Sequence, residues 1–174
     1  PMHVLIVYGT TEGQTRKIAK FCADRLSEAG HQTQLLDSLR PMVDVEISAF
    51  DCVVLAGSVH KRQHQDSLTN FVIAHREQLQ QRPSLLVSVS LSIAFVWGDR
   101  EAQEYVDEFV AYTRFKPNAQ ALVAGALKFD QYDYYMNQII EFVVLQDRSK
   151  ITEDQEFTDW ETLAEELDAF VASV

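Results

Sequence analysis

The chain has 174 residues, enough for one domain with a full hydrophobic core, and its apolar content of 47% is that of a globular protein. Lys and Arg number 15 against 26 Asp and Glu, a formal charge of −11 that excludes nucleic acid as a partner, because phosphate binding runs on a cationic excess. No Pro/Gly-rich linker, internal repeat or membrane-length apolar run is present, and the apolar start is too short for a signal peptide. These features predict a single domain over 1–174 and a cytoplasmic protein. Cys22 and Cys52 have no C-x-x-C or metal-ligand spacing and read as small core residues in a reducing compartment, so no metal is expected.

Taken in order, Val4 to Gly9 is a short apolar run and reads as a first strand. Thr10, Thr11, Glu12, Gly13, Gln14 and Thr15 form a polar turn, after which Ile18, Cys22, Leu26 and Ala29 fall at helical spacing and Gly30 closes the helix. A second strand is expected over Gln32 to Asp37, and Ser38–Ala49 reads as connection. Asp51 to Gly57 is a nearly continuous apolar run, the pattern of a strand buried on both faces. Leu68, Val72, His75 and Leu79 line one helix ended by Pro83, with His75 read as a packed residue. Ser84 to Ser90 makes a fourth strand; Leu91 to Gly98 leads into a helix bearing Tyr105, Val106, Phe109 and Val110; Leu122 to Leu127 makes a fifth strand. Repeated β-α alternation predicts a parallel sheet covered by helices on both faces.

The alternation then breaks. Residues 129–157 read as an insertion, with an aromatic and aliphatic helix over Tyr132 to Leu145. The last helix starts at Thr158, Asp159, Trp160 and Glu161, which fits a capping box in which Thr158 caps and Glu161 reaches back.

In an open parallel sheet, ligands bind beyond the carboxyl ends of the strands, near the switch in strand order. Three polar loops leave those ends: Thr10–Thr15, Ser58–Gln65 and Ser90–Gly98. The first has the properties of a phosphate site, since backbone N–H groups, three Thr hydroxyls and a helix N-terminus converge there, and Gly13 lets the backbone bend. It contains no Lys or Arg and no G-x-x-x-x-G-K-[ST], so a phosphate monoester suits it better than a nucleoside triphosphate. The second loop carries His60, Lys61, Arg62 and His64, four potentially cationic side chains that would stabilise an anionic ligand. His60 and His64 are of the residue type that moves protons near neutral pH, and His60 is the one catalytic candidate.

The T-x-x-G-x-T spacing of Thr10, Gly13 and Thr15 after a strand resembles the phosphate loop of the flavodoxin family. The second half is similar to a narrower group. Val123 to Phe129, Tyr132, Tyr135, the apolar insertion and Thr158-Asp159-Trp160 resemble the bacterial flavodoxin-like protoporphyrinogen oxidase family, as do Gly57 to His60 and Ser88 to Leu91. The resemblance implies a three-layer α/β sandwich with five parallel strands and an insertion after the fifth. It implies FMN as cofactor, held at the phosphate by Thr10, Thr11, Glu12, Gly13, Gln14 and Thr15. Ser58, Val59, His60 and Lys61, with Ser90, Leu91 and Ser92, would flank the ring. It further implies oxidation of protoporphyrinogen IX to protoporphyrin IX in haem biosynthesis, electrons passing to a quinone, and peripheral contact with the inner face of a membrane through 130–150. The chain departs from that family where Asp130, Asp133, Glu141 and Asp147 occupy a segment that is elsewhere basic. Lys61-Arg62 also stand where an aromatic-Gly pair is usual, and Ile93 to Trp97 replace a basic stretch. Competing readings are a flavodoxin-type electron carrier, a flavin-dependent quinone reductase using a nicotinamide, and a flavodoxin fold without flavin that acts by protein contact. The residues do not fix the oligomeric state.

Overall fold

The computed structural model describes residues 1–10, 13–40, 45–94, 98–127 and 155–174. Strands β1 (His3–Gly9), β2 (Gln32–Asp37), β3 (Cys52–His60), β5 (Ser84–Ser90) and β6 (Ala119–Ala124) form a parallel sheet in the order β2-β1-β3-β5-β6. A two-residue strand β4 (Gln63–His64) folds back on the end of β3. Helices α1 (Gln14–Glu28), α2 (Asp66–Ala74), α3 (Arg76–Leu79), α4 (Gly98–Thr113) and α5 (Trp160–Ser173) pack on the sheet. This is the flavodoxin-like α/β fold that the sequence leads one to expect.

The alternation of side chains along β1 divides the core into two layers. Val4, Ile6 and Tyr8 join Ile18, Cys22 and Leu26 of α1 and Leu163, Leu167 and Phe170 of α5. Leu5 and Val7 face Leu68, Phe71 and Val72 of α2 and Val106 and Phe109 of α4. Cys22 and Cys52 are free and buried, and burial raises their pKa to about 12 and about 11, as expected of core thiols.

Three elements differ from the sequence reading. The helix expected through Leu79 is broken at His75 (φ −113°, ψ 17°), where the ring stacks on Phe71 and its Nδ1 lies 2.9 Å from the Phe71 carbonyl oxygen. The fifth strand begins earlier, at Ala119, and stops at Ala124. Past Gly125, β7 (Ala126–Leu127) leaves the sheet to pair antiparallel with β8 (Gln155–Glu156). The N-cap of α5 is Asp159, which accepts from the Thr162 N–H at 3.1 Å, not Thr158. The expected helix over Tyr132–Leu145 lies outside the described residues.

The strand order reverses direction at β1: the chain first adds β2 on one side, then β3 on the other. The carboxyl ends are level across the sheet, with Gly9 opposite Gly57, Ser58 opposite Val89 and Ser90 opposite Ala124. A crevice at the switch point is therefore bounded by the three loops that follow β1, β3 and β5.

Candidate functional site

Gly13 opens the first side of the crevice. It sits in the left-handed region (φ +94°, ψ −16°) as the residue before α1, and a Cβ there would meet nothing within 4 Å. Its N–H donates to the Thr10 hydroxyl at 2.8 Å, which closes the loop. The first turn of α1 has neither an acidic residue nor a side-chain cap, so among the described residues the positive end of the helix dipole has no compensating carboxylate in that turn. Thr15 is 1% exposed, and its hydroxyl has no partner among the described residues. Gln14 points elsewhere: its Nε2 donates to the Thr158 hydroxyl at 3.0 Å. Thr11 and Glu12 lie outside the described residues.

The second loop is a hairpin that extends β3 beyond the sheet. His60 pairs with Gln63 and Val59 with His64, leaving Lys61 (φ 51°) and Arg62 (φ 67°) at the two turn positions. Consecutive left-handed residues match the right-handed twist of the strands but normally select Asn and Gly. The Ser58 hydroxyl at the hairpin base is buried without a partner among the described residues.

The expected concentration of four cationic groups here is corrected by the structure. His64 is 5% exposed, packed 4.9 Å from the Phe109 ring, with Nε2 2.8 Å from the Ser88 hydroxyl. Burial lowers its pKa to about 4, so it is neutral at physiological pH. Arg62 turns toward α4, 3.4 Å from Glu101 and 3.8 Å from Glu104, with its guanidinium 5.3 Å above the Tyr105 ring. His60 and Lys61 are the remaining basic residues of the turn.

The third side begins at Ser90, 4% exposed, whose hydroxyl again lacks a partner among the described residues. A 3-10 turn over Leu91–Ala94 follows, with Ser92 buried. Gly98 starts α4 against this turn; a Cβ there would fall 1.3 Å from the Ser92 carbonyl oxygen, so only glycine permits the approach. Val59, Lys61, Ser90, Leu91, Ser92 and Tyr105 border a slot of about 20 Å³ between the second and third loops. A larger cleft of about 350 Å³ opens on the other side of the hairpin, between α2 and α4, where Asp66, Asn70, Phe109 and Tyr112 line it. It lies beside the switch-point crevice, not in it.

Thr15, Ser58 and Ser90 thus each carry a buried hydroxyl without a partner among the described residues, at the start of α1 and near the carboxyl ends of β3 and β5. The fourth such atom among the described residues, Glu166 Oε2, belongs to α5. Buried hydroxyls without partners are rare in folded proteins, and three near the carboxyl edge of one sheet fit a polar ligand that supplies the missing bonds. A flavin mononucleotide has the matching chemistry: an anionic phosphate for the α1 end, and a planar ring with polar edges for the ends of β3 and β5. Among the described residues no group of three or more His, Cys, Asp or Glu is placed to hold a metal, and no helix is long and apolar enough to cross a membrane.

The sequence reading missed the role of residues 155–158. Thr158 was expected to cap α5, but its hydroxyl donates to the Ala124 carbonyl at 2.7 Å and accepts from Gln14. Its neighbour Asp159 is an equally good capping residue, and that ambiguity was the available signal.

Comparison with known proteins agrees with this fold. The chain is 29% identical to "Protoporphyrinogen IX dehydrogenase [quinone]" of Escherichia coli (strain K12) over 167 residues, covering 94% of this chain and 91% of that protein. It is 23% identical to the protein of the same name from Leishmania major, covering 90% of this chain and 69% of that one. Among solved structures, a short-chain flavodoxin associated with a non-canonical PDU bacterial microcompartment superposes with a TM-score of 0.61 at 11% identity, covering 99% of both chains. The flavodoxin of Streptococcus pneumonia TIGR4 superposes with a TM-score of 0.56 at 14% identity, with 99% of each chain covered. The sequence profile described as "Flavodoxin domain" matches residues 5–158, and the chain belongs to that family.

Proposed function

We propose that this chain, as a single domain, binds FMN in the switch-point crevice and oxidises protoporphyrinogen IX to protoporphyrin IX with a quinone as electron acceptor, a step of haem biosynthesis. The observation that carries the reading is the set of three buried hydroxyls without partners among the described residues, Thr15, Ser58 and Ser90, at the start of α1 and near the carboxyl ends of β3 and β5. The substrate pair comes from the relatives named protoporphyrinogen IX dehydrogenase [quinone], which align along nearly the whole chain.

Bound FMN would supply a two-electron acceptor, and the six-electron oxidation of porphyrinogen to porphyrin would draw on it three times, with one quinone accepting each electron pair. The rest is the work of the chain. Thr10, Gly13 and Thr15, with the backbone N–H groups of Thr11, Glu12 and Gln14, would hold the phosphate through neutral donors and the α1 dipole. Ser58, Val59, His60 and Lys61 on one side and Ser90, Leu91 and Ser92 on the other orient the ring. Lys61 favours the negative charge that reduction develops, and His60 is the group at the crevice suited to carry a proton.

A second reading, a flavodoxin-type carrier without an organic substrate, draws support from the net charge of −11, which suits docking to a basic redox partner. One assay separates the two. FMN-loaded protein is mixed with protoporphyrinogen and a soluble quinone, and porphyrin fluorescence is followed against protein-free and quinone-free controls. Quinone-dependent porphyrin formation supports the oxidase. A bound flavin that accepts electrons from a chemical reductant, with porphyrin formation no faster than the controls, supports the carrier. Rapid consumption of NADH or NADPH would instead favour a nicotinamide-dependent quinone reductase.

A further inference from the structure

We infer that Thr158 is a positioning residue for the phosphate-binding turn, tying the first turn of α1 to the end of β6. This rests on the reading that the turn holds the phosphate of FMN. The hydroxyl of Thr158 has one proton, and it is directed to the Ala124 carbonyl at 2.7 Å. Its oxygen therefore faces Gln14 as an acceptor and fixes the Gln14 amide through its NH₂ end, at 3.0 Å. Gln14 is the first residue of α1, between Gly13 and Thr15, so holding its side chain fixes the backbone that carries the phosphate-facing N–H groups.

The contact belongs to a wider clasp. The Phe157 N–H donates to the Gly125 carbonyl at 3.0 Å, and the Gly125 N–H donates to the Ser90 carbonyl at 3.2 Å. Ser90, at the head of the third loop, is thereby connected through Gly125 and residues 157–158 to Gln14 at the head of the first. One turn further along α1, Lys17 pairs with Glu156 at 2.5 Å, and Glu156 also accepts from the Trp160 indole at 3.0 Å. The Lys17 ammonium lies 5.5 Å from the centre of the Trp160 ring. The exposed Lys17–Glu156 pair adds little energy, whereas Thr158 is half-buried and bonded on both sides. Thr158 is thus the residue through which the segment after β6 sets the geometry of the phosphate turn.

The test compares FMN with riboflavin, which has the same ring and no phosphate. Both are titrated into wild-type apo-protein, Thr158→Val, Thr158→Ser and Gln14→Met, and the double variant Thr158→Val/Gln14→Met, with flavin fluorescence as the readout. The expected result is FMN binding weakened about tenfold in Thr158→Val, with riboflavin binding unchanged and Thr158→Ser close to wild type. Gln14→Met should weaken FMN by a similar factor, and the double variant should be no worse than either single one. If Thr158→Val does not fold, Gln14→Met carries the comparison alone. Equal loss for the two flavins, additive effects, or unchanged FMN affinity overturns the assignment. Wild-type protein that binds FMN no more tightly than riboflavin overturns the phosphate reading itself, and this inference with it.

Discussion

Ser90 is buried in β5 with a hydroxyl that bonds to nothing among the described residues, and Thr15 repeats the arrangement in the first turn of α1. Such a group costs about 1–3 kcal/mol relative to a satisfied one, a cost that a bound ligand removes. Ser90→Ala should therefore stabilise the flavin-free chain, by about 1 kcal/mol, while weakening FMN. Urea unfolding with and without FMN measures both effects, and stabilisation without loss of affinity would place the hydroxyl outside the site. His64 gives a second expectation at this scale. Its pKa is lowered by burial from 6.5 to about 4, so between those values the unfolded chain binds a proton that the folded chain refuses. The stabilising effect of its neutral form is complete above pH 6.5 and is lost as pH falls toward 4, with a total near ~3 kcal/mol. In His64→Gln the difference from wild type should change with pH in that window, which unfolding curves at pH 7 and pH 4.5 measure. A parallel pH dependence in the two proteins would mean that His64 titrates normally.

The hairpin between β3 and β4 is the element where local preference and observed structure disagree most. Lys61 and Arg62 both adopt positive φ, a conformation costing about 1 kcal/mol per residue outside glycine and asparagine. The pairs of Arg62 with Glu101 and Glu104 are exposed and recover little of that. Replacing Lys61-Arg62 by Asn-Gly should raise the melting temperature by about 4–8 °C. Lys61→Asn also removes a positive charge beyond the end of β3, where the proposed site has the flavin ring, so reduced flavin should bind less tightly relative to oxidised flavin, read as a more negative midpoint potential. An unchanged potential would remove Lys61 from the electrostatics of the site. This hairpin was not legible in the sequence, because no Asn-Gly or Asp-Gly marks the turn; the polar run 58–65 reads as an ordinary loop. By contrast β2 and β5 were legible to the residue: β5 is a short apolar run buried along its whole length, and β2, which is only partly buried, carries Leu35-Leu36 between the turn residues Gly30 and Ser38. The break at His75 and the departure of β7 from the sheet depend on packing and on pairing with residues 155–156. Sequence periodicity does not report either.

At the scale of the whole molecule, one reversal of strand order creates the crevice, and level strand ends bring three separate stretches of sequence to it. The first loop could be read from sequence because its chemistry is local: hydroxyls, glycine and a helix start within six residues. That Ser58 and Ser90 stand near the same edge of the sheet, at the carboxyl ends of β3 and β5, required the strand order and register. The link from Thr158 to Gln14, spanning 144 positions, required side-chain placement as well. The excess of carboxylates is spread over this frame, with Glu101 and Glu104 turned to Arg62, Asp168 to Arg25 and Glu156 to Lys17.

The measurement that tests the crevice most directly is titration of the apo-protein with FMN, followed by quenching of flavin fluorescence, in wild type, Gly13→Asp and Gly30→Asp. Gly13 and Gly30 share a left-handed backbone (φ +94° and +93°) with open space around a Cβ, so the two substitutions impose similar backbone strain. Only Gly13 borders the crevice. The account predicts stoichiometric quenching in wild type and Gly30→Asp, and loss of binding in Gly13→Asp, where a carboxylate meets the phosphate. No quenching by wild type up to tens of micromolar FMN, or equal loss in both variants, would contradict it.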